Sequence, residues 1–337
     1  MNDYAFYRLP DATEYHIIRG VAECMERPET IGGRCGFVLA PFTVAKDHPV
    51  VFIPATEVHV MNMHSTDNDQ ADSSHKERYC WDESENRCLY HHDFSLVHHS
   101  LDDGTADKVV LARRLCINGH KEVDAVATFH RACRRYPHQM VCLVSTTVSG
   151  TWLMATPEVL AEGSGKQWHT VALAGTMTTD GPWNAKNRRE QHIVEEYVGD
   201  CLRRHATDVV RSDPHTVTAG GLFHLRTDFA FRLHGGEQAL WKLVGDLSPT
   251  PAVCGLPKDR ALEIILSSES ADRRYYSGYC GPVATDDATH LFVSLRCMEI
   301  SGKDVTLYAG GGLLRESIEE EEWKETEAKL KTMKDVL

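Results

Sequence analysis

Apolar positions change period along this chain, and the changes mark its elements. Strand-like patterning covers residues 108–113 and 222–232, and residues 140–146 and 151–156 read as a strand pair around Val148-Ser149-Gly150. Helical spacing appears over 123–135, 236–244 and 258–266, and further strands are predicted at 291–300 and 304–309. The clearest helix covers 184–204, where Ile193, Val194, Tyr197, Val198, Cys201 and Leu202 share one face. Another opens at Ser317 and carries an apolar stripe of Trp323, Thr326, Leu330, Met333 and Leu337. Hairpins of strands interspersed with helices predict an α+β fold. Residues 62–86 are polar and without period, and read as a long excursion or mobile loop.

With 337 residues and 42% hydrophobic content, the chain can bury a sizeable core as one large domain or two ordinary ones. No long unbroken apolar segment occurs and Met1-Asn2-Asp3-Tyr4 is no signal-peptide pattern, so a soluble cytoplasmic protein is expected. The formal charge of -13 argues against nucleic acid or an anionic membrane surface as partner. It also means that an anionic substrate needs a locally basic pocket. The 11 cysteines include no Cys-x-x-Cys pair and read as reduced thiols. Cys80, Cys88, His91 and His92 are zinc-ligand types, but their spacing fits no common module, and surface histidines in a polar loop are the better reading, as for His98 and His99.

The candidate chemistry begins with carboxylates on helices. Glu322 and Glu325 lie three apart beside the buried stripe, an arrangement suited to a hard divalent cation, with Ala309-Gly310-Gly311-Gly312 just upstream to offer backbone N–H groups. The competing reading is that Ser317-Ile318-Glu319-Glu320 is a capping box. Glu190 points with the apolar face of helix 184–204, where an ionised carboxylate needs a partner. Asn187 and Glu190 as a capping pair is one explanation, and a cation shared with Glu325 accounts better for the burial. Lys329, four residues after Glu325, lies on the same edge and can neutralise the second carboxylate.

Four other side chains carry both a functional and a plain reading. Lys108 shares a strand face with Val110 and Ala112, where desolvation of the ammonium favours a general base, or else it reaches solvent from the strand start. Glu158 follows Pro157 at a strand end and is either a general acid held over a cleft or an exposed loop glutamate. Arg296, within Ser294-Leu295-Arg296-Cys297 in a predicted strand, binds a carboxylate ligand or closes an internal salt bridge. His224, within Leu222-Phe223-His224-Leu225, fits a hydrogen-bonded core histidine on pattern alone.

Six runs in order extend these readings: Ala106-Asp107-Lys108-Val109-Val110-Leu111-Ala112-Arg113, Ala155-Thr156-Pro157-Glu158, Leu173-Ala174-Gly175-Thr176, Pro249-Thr250-Pro251-Ala252-Val253-Cys254-Gly255, Tyr275-Tyr276-Ser277-Gly278 and Ala309-Gly310-Gly311-Gly312. Together they resemble the chorismate-binding enzymes, a family that includes isochorismate synthases, salicylate synthases, anthranilate synthase and aminodeoxychorismate synthase. The resemblance runs from about residue 100 to the C-terminus; residues 1–95 are read as a variable N-terminal part of the fold and 96–337 as the catalytic region.

It implies one compact domain of two antiparallel sheets packed face to face, helices outside, with the site in a cleft. It implies Lys108 as base, Glu158 as general acid, and Glu190 and Glu325 with Glu322 as ligands of Mg2+. Arg296 and Tyr276 would hold a substrate carboxylate near the N–H groups of Gly310 and Gly312, with His224 along the ring. Ala174, Gly175, Thr176, Thr250 and Lys329 complete the expected substrate-binding set. Lys108 stands where amination branches have glutamine, and Ala174 where other branches have lysine or threonine, so water is the implied nucleophile and no glutaminase partner is expected. The implied reaction is Mg-dependent, reversible isomerisation of chorismate to isochorismate for menaquinone or siderophore biosynthesis; salicylate synthase and a non-catalytic chorismate-binding protein are the alternatives. Asn187, Ser248 and Met177 depart from residues common in the family.

Overall fold

Among the described residues the alternating segments pair into two antiparallel sheets of ten strands each. The computed structural model describes residues 3–63 and 79–337. The first sheet runs Gly255–Leu256, Lys108–Gly119, Asp304–Leu313, Cys297–Ser301, Gly150–Thr156, Met140–Thr146, Asp3–Arg8, Glu14–Gly20 and Glu57–Asn62, with Tyr79–Cys80 beside the far end of Lys108–Gly119. The second runs Ala206–Arg211, Leu222–Leu233, Gln167–Met177, Val159–Ser164, Thr289–Val293, Tyr279–Val283, Gly36–Ala40, Val50–Pro54 and Glu23–Met25, with His215–Ala219 also on Leu222–Leu233.

The sheets pack face to face, as expected. Tyr7, Trp152, Met154 and Tyr308 of the first meet Phe37, Val51, Leu173 and Phe292 of the second in one apolar layer. Among the described residues six α-helices, α1 (Glu83–Asp102), α2 (Ala125–Arg135), α3 (Ala185–His205), α4 (Gly236–Leu247), α5 (Lys258–Ser268) and α6 (Glu319–Lys334), cover the outside. Helices α3 and α4 bury Val194, Val198, Leu202 and Trp241 on the second sheet. Helices α2 and α6 bury Phe129, Leu330 and Met333 on the first, while α1 and α5 close its end with Tyr90, Phe94, Ile264 and Ile265. Residues 3–62 supply three strands to each sheet and so complete both at one edge. Among the described residues no helix is long and apolar enough to cross a membrane.

Several expectations are corrected. Within 62–86, residues 64–78 lie outside the described residues, but Tyr79–Cys80 is a strand and α1 starts at Glu83, capped by Asp82, whose Oδ1 accepts from Glu85 N at 2.9 Å. Helix α1 looked like loop because its buried stripe, Tyr90, Phe94, Val97 and Leu101, begins only in its second turn. Cys88, His91, His92, His98 and His99 therefore sit on a helix, and His91 pairs with Glu319 at 2.8 Å. The capping boxes are also absent: α6 starts after Ile318 with no side-chain cap, and Ser317 Oγ accepts instead from Leu314 N at 3.0 Å. Helix α3 is capped by Asn184, which accepts from Asn187 N at 2.8 Å.

The predicted strand 291–300 is two strands in different sheets. Thr289–Val293 belongs to the second and Cys297–Ser301 to the first, and the link between them includes Arg296 with φ 46°. Continuous apolar flanks concealed the break, because the link passes through the core rather than over the surface. A matching crossover occurs at Pro157 and Glu158, between Gly150–Thr156 and Val159–Ser164. Three hydrogen bonds join the two crossovers: Ala155 N to Arg296 O at 3.0 Å, Val293 N to Glu158 O at 2.9 Å, and Thr156 Oγ1 to Val293 O at 2.6 Å. The last is buried, so Thr156→Val leaves the Val293 carbonyl short of a donor. It is expected to lower stability by about 1–3 kcal/mol, read as a lower urea midpoint at unchanged slope.

Candidate active site

The crossovers open onto a cavity whose lining comes from both sheets, α3 and α6: Val110, Glu158, Leu173, Ala174, Gly175, Thr176, Glu190, His224, Tyr276, Arg296, Tyr308, Gly310, Gly312 and Lys329 are on its wall. Glu158 enters from one crossover and Arg296 from the other. Neither side chain is free to leave, because the backbone on each side is bonded into a sheet.

Glu158 is 2% exposed, and burial pushes its carboxyl from 4.5 to about 8 even though Lys108 and the Thr250 hydroxyl, 3.4 Å from Oε1, pull the other way. At neutral pH it is a protonated acid facing the cavity. Lys108 is fully buried one layer behind the wall, with Nζ 3.0 Å from Glu190 Oε1. Glu190, expected to need a cation on the buried face, thus already has one in Lys108.

Arg296 is 6% exposed and, among the described residues, forms no ion pair with a carboxylate. Burial lowers it to about 10, so it remains a cation at neutral pH. Its neighbours are neutral acceptors: Thr332 Oγ1 at 3.3 Å from Nη1 and His224 Nε2 at 3.1 Å from Nη2. Burial, then the charges of Arg296 and Lys329, push His224 down to about 3, so the ring is uncharged. Its Nδ1 lies 3.0 Å from Gly175 O, which can only accept, so the proton is on Nδ1 and Nε2 is the acceptor for Arg296. Gly175 sits at a register shift in Gln167–Met177 with φ 71°, a conformation that turns its carbonyl to this role. Tyr276 is buried and stacked on Tyr308, ring centroids 5.6 Å apart.

The glycine run is part of the strand Asp304–Leu313, which extends beyond the predicted 304–309. Its neighbour Cys297–Ser301 stops pairing at Tyr308, so residues 309–313 are bonded only to Lys108–Gly119 and their other edge faces the site. There the Gly310 carbonyl accepts from Lys329 Nζ at 2.7 Å. A Cβ on Gly312 would stand 2.2 Å from Glu190 Oε1 and 2.8 Å from Lys108 Cε, and one on Gly311, on the opposite face, 3.1 Å from Glu322 Oε2. Glycine is required at Gly312 because the ion pair occupies the space of its side chain.

Glu322 and Glu325 line an adjoining cleft that shares Thr176 with the cavity. Glu322 pairs with Lys186 and Glu325 with Lys329 at 2.6 Å. Burial and the neighbouring charge of Glu325 push Glu322 up to about 7, while Lys329 and Lys186 outweigh burial and hold Glu325 below the usual carboxylate range. The donors are all carboxylate oxygens, and Glu322 Oε2 is buried without a partner, which suits a hard divalent cation. Among the described residues no three such ligands are already grouped around one point; a cation entering here displaces lysine ammonium groups.

Of the expected residues, Lys108 and Thr250 thus stand behind the wall, Glu322 and Glu325 line the adjoining cleft, and the others line the cavity. Lys186, Tyr308 and Thr332 were not anticipated. Lys186 had a signal, four residues before Glu190 on the same helical edge; Thr332 had one too, seven after Glu325.

A family model described as chorismate binding enzyme matches residues 32–337. The chain belongs to that family. The match begins well before residue 100, so the strands from Gly36–Ala40 onward fall within it. Among curated relatives, the chain is 30% identical over 243 residues to the isochorismate synthase EntC of Escherichia coli K12, covering 68% of this chain and 62% of that protein. It is 29% identical over 250 residues to the isochorismate synthase DhbC of Bacillus subtilis, covering 68% and 63%. The chain therefore spans somewhat less than two thirds of these relatives. Its fold is that of DhbC from Bacillus anthracis, with TM-score 0.84, 22% identity and 99% and 96% of the two chains covered. It also matches the menaquinone-specific isochorismate synthase MenF of Escherichia coli, with TM-score 0.81, 22% identity and coverage of 99% and 88%.

The raised Glu158 has a consequence for stability. The folded state holds a proton that the unfolded chain releases above 4.5, so stability falls as pH rises from about 4.5 to about 8. Glu158→Gln removes that cost, and its thermal midpoint is expected to match wild type near pH 4.5 and to exceed it at pH 8, by on the order of 3 kcal/mol in unfolding free energy. Gly312→Ala is expected to act oppositely, destabilising the fold at every pH by forcing Lys108 and Glu190 apart, as read in the same scans.

Proposed function

We propose that this protein is an isochorismate synthase, converting chorismate reversibly to isochorismate by adding water at C2 and removing the hydroxyl at C4. The observation that carries the reading is the pairing, in one cavity, of a protonated buried carboxylic acid with a buried arginine that has no carboxylate of its own. The acid suits protonation of a leaving hydroxyl, and the arginine suits capture of an anionic substrate in a protein of net charge -13.

In this mechanism Arg296, with Tyr276 beside it, holds a substrate carboxylate, and the uncharged His224 ring lies along the substrate. Lys108, once its own proton has passed to its partner Glu190, takes a proton from water, for which the methyl group of Ala174 leaves space in the wall. The water oxygen bonds to C2, the double bonds shift, and Glu158 gives its proton to the hydroxyl leaving C4, so water is consumed and released in equal amount. Glu322 and Glu325, with Glu190 nearby, would hold Mg2+, which when bound neutralises the ring carboxylate and fixes its orientation. The closeness of the lysines keeps these carboxylates tolerable in its absence.

The test is incubation with chorismate and Mg2+, with and without chelator, and resolution of products by chromatography and mass. A metal-dependent equilibrium mixture of chorismate and isochorismate is expected; salicylate with pyruvate would move the activity to a lyase, and no turnover would leave a binding protein. Glu158→Gln is expected to lower kcat by about 10²–10⁴. In wild type the forward rate is expected to fall as pH rises through about 8, because the acid must carry its proton.

A further inference from the structure

Helix α6 presents Glu322, Glu325 and Lys329 along one edge, and the next residue on that edge is Thr332. Thr332 is 2% exposed and does not line the cavity, yet its hydroxyl lies 3.3 Å from Arg296 Nη1. We infer that Thr332 is a positioning residue for substrate binding: with His224 it fixes the plane of the Arg296 guanidinium so that its remaining N–H groups face the cavity. The inference rests on the reading of Arg296 as the carboxylate-binding group.

A guanidinium on a long stem has many rotamers, and a buried one turns toward the nearest carboxylate if it can reach one. Glu325 is close enough for its charge to act on Arg296 but makes no ion pair with it; the two contacts that hold the group are a hydroxyl and a neutral imidazole. Neutral acceptors restrict the side chain without cancelling its charge, which leaves the charge for an anion. Thr332 is itself held from two sides. Tyr136 Oη donates to its carbonyl at 2.8 Å, and Gly220, in the left-handed region with φ 58°, comes so close that a Cβ there would be 3.0 Å from Thr332 Oγ1. The hydroxyl thus has a fixed place from which to orient Arg296, and the same helix edge then serves the proposed cation site at one end and the anion-binding arginine at the other.

The experiment compares wild type, Thr332→Val and Thr332→Ser in chorismate turnover with Mg2+, in calorimetric titration with benzoate as a plain ring carboxylate, and in thermal unfolding. Thr332→Val is expected to raise KM for chorismate and Kd for benzoate by about tenfold, to leave kcat within about twofold, and to shift the thermal midpoint by no more than about 3 °C. Thr332→Ser, which keeps the hydroxyl, is expected to restore both constants. Unchanged KM and Kd in Thr332→Val would overturn the inference, as would a joint loss of kcat and thermal stability that serine does not rescue. If wild type does not turn chorismate over, the proposed activity falls, and the benzoate titration still decides the role of Thr332.

Discussion

Everything at the site depends on the chain passing from one sheet to the other twice at the same place. Glu158 and Arg296 sit in those passages, and the backbone hydrogen bonds between Ala155 and Arg296, and between Val293 and Glu158, lock the passages to each other. A crossover between packed sheets has to carry polar backbone through an apolar layer, which is costly unless each group is paired. Here the two crossovers supply each other's partners. The result is an acid and a cation facing one cavity from rigid mounts.

The same burial sets the chemistry. Water is kept from Glu158, so the acid holds its proton, and from Arg296, so the cation has little competition from solvent for an anion. The site is an energetic liability to the fold, and the protein limits this by pairing each of the three helix carboxylates with a lysine: Glu190 with Lys108, Glu322 with Lys186, Glu325 with Lys329. Removing one member of such a buried pair leaves an uncompensated charge. The pairs are neutral overall, so the need for a locally basic pocket that the overall charge imposes falls to Arg296, whose contacts are a hydroxyl and an uncharged ring.

Much of this was legible in the sequence, and the failures have a common cause. Helices α3 and α6 declare themselves because one broad apolar face is set against charge, and the inward direction of Glu190 follows from its spacing to Ile193 and Tyr197. Lys108 as its partner was not legible, since an ion pair between a strand and a helix far apart in the chain leaves no periodic trace. Arg296 was assigned to a continuous strand because its neighbours are apolar on both sides of the crossover, and periodicity does not register a change of sheet. The predicted strand 304–309 stops short of the glycine run for the opposite reason. Its residues have poor strand propensity, but Glu190, Lys108 and Glu322 need the space where their side chains would be, and that need outweighs propensity.

The N-terminal strands show which demands leave a recognisable sequence and which do not. They form the outer edge of both sheets, and among the described residues no cavity-lining residue precedes Val110. Structural likeness to DhbC and MenF covers 99% of the chain, whereas sequence likeness to EntC covers 68%. A strand that only completes a sheet has to alternate and fill volume, which many sequences do. A strand that must hold a buried lysine, leave space for a carboxylate or cross between sheets has few solutions. Motifs therefore concentrate from Lys108 onward, where the chemistry constrains the residue, and thin out where packing alone does.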